Sequence, residues 1–337
     1  MAQVKSVRSG LITTAGRVQI QFDKVIVTTG SKFIPVVLRG REKDGALVLD
    51  NYRSYMGLGE FAGSRDDGVV WGEGERAMEI ADRLAKLEGR IDFGVSFWSH
   101  GSPGPPALSV ILQFAERAGV RLLTGNLERA LGTDRLEALM IDRQVRKCDS
   151  LILVPVRRPT VPPTDAEVGP GGVIMVDGSL RSNVPAIMAA GSSARVRGGP
   201  PSNSSLDSEP RTSGRVAGAN ATGQELAVGR ARLVEKLAFG CRWSRAGFVE
   251  AAGVSRTPGL GVTSQRFDSS ACSIVYQKSN GRIRGMETVF PCDVSTGGIS
   301  ALVADGLTLE SLAHGGSTDI SLISETARLG LRAWSRS

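Results

Sequence analysis

Residues 68–84, GVVWGEGERAMEIADRL, decide the fold class of this chain. The first four residues form a short apolar strand. This strand runs into a glycine turn at Gly72 and Gly74 and then into a segment whose apolar residues recur at helical spacing. A second apolar strand is predicted at 91–98. Strand, glycine turn, helix and strand in this order are the context in which a GxGxxG/A pattern indicates a Rossmann-like unit that binds a dinucleotide.

Small residues occupy the positions of this turn where a bound pyrophosphate needs space. Gly72 would permit the tight turn, Gly74 would leave room for the pyrophosphate at the helix N-terminus, and Ala77 would let the helix pack closely on the strand. We therefore predict that Gly72, Gly74 and Ala77 bind a nicotinamide dinucleotide, NAD(P)H. A glycine turn without a ligand, in an ordinary α/β domain, is the alternative.

The charged residues nearby leave the affinity and the choice of nucleotide open. Glu73 and Glu75 would repel a pyrophosphate unless Arg76 compensates. NAD-specific sites usually place Asp or Glu at the end of the second strand. Here that stretch carries Ser96 and no acid; Asp92 is the only nearby candidate, and it lies early in the strand. Because Ser96 would tolerate a 2′-phosphate better than an acid would, we predict it as a binding residue and expect a modest preference for NADPH.

The bulk composition is that of a globular protein with two or three domains. The chain has 337 residues, of which 41% are hydrophobic and 22% charged. Its net charge of +7 comes from scattered basic residues, and aromatic residues make up only 5%, so stacking platforms for nucleic acid are not evident. The longest apolar runs are too short for a membrane span, and the first residues lack the apolar core of a signal peptide. We expect a cytoplasmic protein without nucleic-acid or membrane partners.

The cysteines and histidines are too few and too scattered for a metal site. No two cysteines form a CxxC pair, so zinc and iron–sulfur sites have almost no support, and we predict no metal. The neighbouring Arg242 would lower the pKa of the Cys241 thiol. Thiol chemistry at Cys241 is therefore a testable alternative to a structural role.

Shorter segments around the Rossmann-like unit predict further elements. In chain order these are a hairpin over 4–9 and 17–21, strands at 22–28, 120–124, 136–141, 151–156, 172–177, 186–190, 272–277 and 285–290, and helices at 107–118, 214–221, 298–305 and 321–334. The strand at 22–28 runs into Thr29-Gly30-Ser31, and the strand at 186–190 ends at Ala190-Gly191-Ser192. A glycine turn after a strand lets a ligand approach the backbone closely.

The order of these segments resembles the FAD-dependent pyridine nucleotide–disulfide oxidoreductases, in particular the coenzyme A disulfide reductase and NADH oxidase branch. FDKVIVTTGSKF at 22–33 is similar to the family's strand leading to its ATG segment, and residues 68–84 are similar to its NAD(P) fingerprint. GVIMVDGSLRSNVPAIMAAGSSARV at 172–196 is similar to the segment that carries a strand back to the flavin. SNGRIRGMETV at 279–289 is similar to part of the C-terminal dimerisation domain, so the likeness spans nearly the whole chain in the right order.

The resemblance implies an α/β fold with a Rossmann-like NAD(P)-binding domain, partial FAD-domain segments and a C-terminal α+β dimerisation domain. The expected boundaries are 1–58 and 166–235 for the two partial FAD-domain segments, 59–165 for the NAD(P)-binding domain and 236–337 for the dimerisation domain. As in the family, the last domain is expected to form a homodimer.

The resemblance also implies two cofactors, NAD(P)H and FAD. Glu79 matches a glutamate common in the family's fingerprint helix. The flavin-side binding residues that the resemblance implies are Thr29, Gly30, Ser31, Gly191 and Ser192. We assign no catalytic residue, because the family's pair of redox cysteines near the N-terminus has no counterpart here.

Three departures from the family's pattern bear on the flavin. The family starts with a separate βαβ unit whose GxGxxG turn holds the FAD pyrophosphate, and we find no counterpart before Met1. Ser192 stands where the family has an Asp, which makes stronger, charge-assisted hydrogen bonds, and Val156 stands where it has a glycine. We therefore expect one component of an FAD/NAD(P)H-dependent oxidoreductase, with a separate subunit completing the FAD site. The alternatives are a non-catalytic relative that serves binding or assembly, and a chain whose true start lies upstream.

Overall fold

The chain folds into two compact units in a computed structural model. The structure describes residues 3–63, 66–72, 74–86, 90–95, 103–197, 210–228, 233–247, 258–292 and 299–314. Unit 1 is formed by Met1–Ile34 and Arg157–Arg230, and unit 2 by Pro35–Val156 and Ala231–Ser337. Among the described residues, we find no helix with the length and apolar character needed to cross a membrane.

The described residues form strands in long runs, with helices between them. The strands are β1 (Val4–Arg8), β2 (Leu11–Thr14), β3 (Gln19–Gln21), β4 (Val25–Val27), β5 (Ser31–Phe33), β6 (Ala46–Val48), β7 (Asp67–Gly72), β8 (Arg90–Val95), β9 (Arg121–Thr124), β10 (Leu127–Leu131), β11 (Ala138–Ile141), β12 (Gln144–Lys147), β13 (Ser150–Val154), β14 (Arg157–Pro159), β15 (Val168–Gly169), β16 (Val173–Val176), β17 (Ile187–Ala189), β18 (Ala194–Val196), β19 (Leu233–Ala238), β20 (Cys241–Gly247), β21 (Leu260–Phe267), β22 (Ser270–Gln277) and β23 (Ile283–Pro291). The helices are α1 (Tyr52–Met56), α2 (Leu58–Gly63), α3 (Gly74–Ala85), α4 (Pro105–Arg117), α5 (Pro210–Ala221), α6 (Ile299–Ala304) and α7 (Leu309–His314).

A five-stranded parallel sheet of order β6-β13-β7-β8-β9 forms the centre of unit 2. Strand β13, between β6 and β7, is buried along its whole length, as expected of a parallel sheet covered on both faces. Trp71 of β7 lies opposite Gly94 of β8. A Cβ atom on Gly94 would come within 1.9 Å of the indole ring, so the neighbouring strand needs glycine here. Strand β7, helix α3 and strand β8 make the predicted strand–helix–strand unit.

Charged side chains link strands of this sheet to one another and to β12, which lies in a separate antiparallel sheet. Asp92 of β8 is fully buried and accepts two hydrogen bonds from Arg121, at 3.1 and 3.0 Å. Arg146 of β12 donates to Asp92 at 3.1 and 2.8 Å and to Asp67 of β7 at 3.0 and 2.7 Å. Two carboxylates and two guanidinium groups therefore form one network across β7, β8, β9 and β12.

An antiparallel sheet of order β19-β20-β23-β22-β21 occupies the C-terminal part of unit 2; we call it the C-terminal sheet. One face packs on α3 and α4, and Trp243, Ala271 and Val289 share a core with the residues of those helices. The other face packs on α6 and α7 through residues such as Met286 and Ile299. The parallel sheet and the C-terminal sheet are thus joined by a common apolar core.

Unit 1 contains several small sheets around a core of its own. Strands β17 and β4 pair in parallel, β16 and β18 pair in parallel, and β14 pairs with β5 in antiparallel orientation. Their core contains Val27, Ile174, Ile187 and Met188, together with Val216 of α5. The parallel pairing of β4 and β17 places the carboxyl ends of these two strands at the same edge.

The α/β fold class is confirmed, and most predicted strands lie where the sequence placed them. The first predicted hairpin is a three-stranded sheet, β1-β2-β3. Strands β19, β20 and β21 were not predicted. Strand β20 buries Ser244 and Arg245, and these polar residues conceal an otherwise buried strand from a hydrophobicity pattern. The helix predicted at 321–334 lies outside the described residues, and the four-domain boundaries stay a prediction.

Candidate functional site

The first residues of α3 have features of a phosphate-binding site. Gly74 begins α3 with a left-handed φ of +70°, and apart from its own neighbours and the helix backbone no atom of the described residues lies within 4 Å of the position its Cβ would take. Helix α3 thus begins beside open space, where its first backbone N–H groups favour an anion. Ala77 is fully buried, as close packing of helix on strand requires.

Gly72 serves packing and not the tightness of the turn. A Cβ on Gly72 would lie 2.7 Å from both the Cβ and the carbonyl oxygen of Val154 and 3.2 Å from the Cβ of Ala77. Its φ lies outside the left-handed range that demands glycine. The neighbouring strand and helix therefore require glycine at this position, and the role of Gly72 toward a nucleotide stays a prediction.

The acidic residue after Gly74 is held by the C-terminal sheet. Glu75 is buried, with 7% of its surface exposed, and its carboxylate lies 3.8 Å from the Lys236 amine and 3.8 Å from the Arg245 guanidinium. Arg76, the residue from which compensation was expected, has its guanidinium carbon 5.5 Å from the centre of the Tyr55 ring. The contacts of Lys236 and Arg245 with Glu75 were not predicted, because both residues lie far along the chain in strands that were not predicted.

Other predicted nucleotide residues have different surroundings. Glu79 forms an ion pair with Lys236, with 3.0 Å between the charged atoms, and its role toward a nucleotide stays a prediction. Ser96 and Glu73 lie outside the described residues. Asp92 is not a candidate for binding ribose, because it is fully buried and paired with Arg121 and Arg146.

The flavin-side candidates of unit 1 meet at the carboxyl ends of β4 and β17. Gly30 and Gly191 both have a left-handed φ, of +72° and +64°, and each has open space where a Cβ would be. These two turns therefore fit a ligand that approaches the backbone closely. Ser31 belongs to β5 and pairs with Pro159 of β14, and Ser192 lies in the short helical turn after β17.

Hydroxyl groups connect the two turns of unit 1. The hydroxyl oxygens of Thr29 and Ser193 lie 3.2 Å apart, and Ser193 is fully buried. The backbone N–H of Gly191 donates to the Ser213 hydroxyl of α5 at 3.1 Å. Ser193 and Ser213 were missed in the sequence, where nothing distinguishes them from other serines in the same segments. The site roles of Thr29, Gly191 and their neighbours stay predictions.

Three of the four cysteines are buried, and Cys292 is partly buried. Burial raises the pKa of the Cys148, Cys241 and Cys272 thiols to about 12 in each case. The expectation of a lowered pKa at Cys241 was wrong, because burial is the main influence on this thiol and Cys292 and Asp82 raise its pKa further. In the described part of the chain, no group of three or more His, Cys, Asp and Glu side chains is arranged to hold a metal ion.

Similar proteins are found among sequences and among solved structures, although no family model matches the chain. An NADH oxidase of Enterococcus faecalis is 23% identical over 334 residues, which cover 92% of this chain and 74% of that protein. A water-forming NADH oxidase of Lactobacillus brevis, solved with NADH bound, superposes with a TM-score of 0.75 at 18% identity and covers 99% of this chain and 81% of that one.

The description of a third similar protein names its cofactor, FAD. It is an FAD-dependent pyridine nucleotide–disulphide oxidoreductase of Desulfovibrio vulgaris, with a TM-score of 0.71 at 20% identity, and it covers 99% of this chain and 89% of that one. The resemblance predicted from the order of the sequence segments is thereby confirmed. The chain has the fold of the FAD-dependent pyridine nucleotide–disulfide oxidoreductases.

Proposed function

We propose that this chain is a component of an FAD- and NAD(P)H-dependent oxidoreductase. The open turn at Gly74 carries this proposal, because it leaves room for a pyrophosphate at the N-terminus of α3. The similar proteins include NADH oxidases, one of them solved with NADH. When bound, NAD(P)H supplies hydride and FAD transfers electrons onward. Gly74 would provide space, the first N–H groups of α3 would bind phosphate, and Gly30 and Gly191 would let the flavin approach.

We further propose that a second polypeptide completes the flavin site by adding a strand to β4. The Val25 N–H donates to the Ala186 carbonyl, and the Val27 carbonyl accepts from the Ala190 N–H, so both residues bond toward β17. In a parallel pair the intervening residue, Ile26, directs its N–H and carbonyl to the opposite edge. Among the described strands, β17 alone pairs with β4. An open parallel edge of this kind suits the first strand of a βαβ unit.

The chain purified alone is expected to carry far less than one FAD per protomer. The added unit would supply backbone N–H groups to the FAD pyrophosphate. Ser192 replaces a carboxylate whose charge-assisted hydrogen bond is worth roughly 1.5–3 kcal/mol, or about a ten- to hundredfold change in affinity. Co-expression with a βαβ unit that carries GxGxxG should give a yellow complex, and anaerobic NADH or NADPH should bleach its flavin absorbance.

Two outcomes contradict parts of this proposal. Stoichiometric FAD on the chain alone would rule out the need for a partner. A complex that stays colourless, together with no calorimetric heat on adding NADH or NADPH, would favour the non-catalytic alternative, in which the chain serves binding or assembly. A βαβ unit with its first two turn glycines replaced by valine is the control, and it should leave the complex colourless.

The chain is also expected to form a homodimer through its C-terminal domain. Strand β19 lies at the edge of the C-terminal sheet, and Leu237 on this strand is 50% exposed. Edge strands with exposed apolar residues favour association. Light scattering coupled to size-exclusion chromatography should give about twice the chain mass of 35.6 kDa. A mass equal to that of one chain at all concentrations would contradict the dimer.

A further inference from the structure

A carboxylate inside a phosphate-binding turn needs a reason, because it repels the ligand. Glu75 directly follows Gly74, the residue that provides the open space. Two like charges a few ångströms apart repel each other even near a protein surface. A free Glu75 carboxylate near the pyrophosphate would therefore weaken binding strongly. Glu75 is instead 7% exposed and lies against the C-terminal sheet.

The cations that meet Glu75 come from neighbouring strands of that sheet. In the register of β19 and β20, Lys236 lies opposite Trp243 and Val234 lies opposite Arg245. Opposite residues of an antiparallel pair share a face, as do residues two apart. Lys236, Trp243 and Arg245 therefore project from the face that packs on α3. The Lys236 amine also pairs with Glu79, one turn further along the helix, at 3.0 Å.

Arg245 is itself held in place. Its guanidinium carbon lies 5.2 Å from the Trp243 ring centre, and the Trp243 indole N–H donates to Glu287 at 2.9 Å. Glu287 is 1% exposed, and it also accepts the backbone N–H of Gly104 at 3.0 Å. Burial raises the pKa of Glu287, while Trp243, Arg245 and Gly104 oppose that shift. The sheet residue Glu287 thus fixes the backbone at the start of α4.

Gly104 precedes α4 and ends the connection that follows β8. In dinucleotide-binding folds, the end of the second strand is where the ribose is recognised. One face of the C-terminal sheet therefore contacts the first turn of α3 and the residue that precedes α4. It reaches the phosphate turn through Glu75, and it reaches the connection after β8 through Gly104.

We propose that Lys236 and Arg245 are positioning residues for the dinucleotide, because they hold the Glu75 carboxylate against the C-terminal sheet and neutralise it beside the phosphate turn. This inference rests on the proposed function, since it concerns the same nucleotide site. It makes nucleotide affinity depend on a sheet outside the Rossmann-like unit. Lys236 is the residue to test, because it is partly exposed whereas Arg245 is deeply buried.

Lys236→Met should weaken the binding of NADH and ADP-ribose by about tenfold, measured by calorimetry on the full chain. Adding Glu75→Gln to Lys236→Met should restore most of the affinity, because it removes the charge that Lys236 neutralises. Lys236→Arg should also retain binding. Lys86→Met is the matched control, because Lys86 pairs with Asp82 of the same helix at 2.9 Å but lies at the far end from the turn.

The outcomes separate this inference from the proposed function. If the unchanged chain binds NADH or ADP-ribose and Lys236→Met binds equally well, the inference is wrong and the proposed function stands. Failure of Glu75→Gln to restore affinity, with thermal melting showing a folded variant, would also overturn the inference. If the unchanged chain binds neither NADH, NADPH nor ADP-ribose, both are wrong.

Discussion

Replacing Arg146 by Met is expected to lower the free energy of unfolding by about 3 kcal/mol, whereas Arg121→Met should lower it by about 1 kcal/mol. Both guanidinium groups bind the fully buried Asp92. Arg146 has 20% of its side chain exposed and also binds Asp67, while the Arg121 side chain is 52% exposed. Loss of Arg146 therefore leaves the carboxylates of Asp67 and Asp92 without their shared partner. Arg121, which is half exposed, is then the remaining cation of the network.

Urea unfolding of the unchanged chain, Arg146→Met and Arg121→Met measures this difference in the free energy of unfolding. Arg121→Met is the matched control, because it makes the same substitution at the other arginine that binds Asp92. Adding Asp92→Leu to Arg146→Met should recover at least half of the loss, since an apolar residue can replace a buried ion without an unpaired charge. Equal losses for Arg146→Met and Arg121→Met would contradict the assignment of Arg146 as the centre of the network.

The role of Asp92 in this network could not be predicted from the sequence. Asp92 stands near the position of an acid that binds ribose, and it was the one acid the sequence offered for that role. Its partner Arg121 begins the next strand of the sheet, and Arg146 lies on a strand of a separate antiparallel sheet. Pairing across strands depends on the register of the folded sheet, which a one-dimensional pattern does not specify. A buried acid with two arginine partners is structural here.

The Rossmann-like unit was predictable because its signals are local. Residues 68–84 contain the apolar strand, the glycine turn and the helical spacing within one short stretch, and β7 and α3 form there. The contacts of Glu75 with Lys236 and Arg245 were not predictable, since they join segments far apart in the chain. The repulsion was identified from the sequence, but the groups that offset it depend on tertiary packing.

Substitutions at the two glycines of the turn, Gly72 and Gly74, should distinguish an effect on folding from an effect on ligand binding. A Cβ at Gly72 would collide with Val154, but a Cβ at Gly74 would enter open space. One glycine is therefore required by neighbouring protein atoms. The other is required by its left-handed φ of +70° and, if the proposed function holds, by the ligand.

Gly74→Ala is expected to reduce the affinity for NADH or NADPH by about a hundredfold, because its methyl group would occupy the space proposed for the pyrophosphate. Its cost to folding should be only about 1–2 kcal/mol, the usual cost of a left-handed φ in a residue with a Cβ. Gly72→Ala should lower the free energy of unfolding by about 3 kcal/mol, because the methyl group would overpack β13 and α3.

Calorimetry with both nucleotides and urea unfolding of both variants separate the two effects. Gly119→Ala is a control for the backbone cost alone, because Gly119 also has a left-handed φ, of +81°, and open space at its Cβ position, in the connection between α4 and β9. It should lose stability like Gly74→Ala but keep its affinity. If Gly74→Ala binds nucleotide as tightly as Gly119→Ala does, the open space beside α3 does not hold the pyrophosphate, and the proposal loses the observation that carries it.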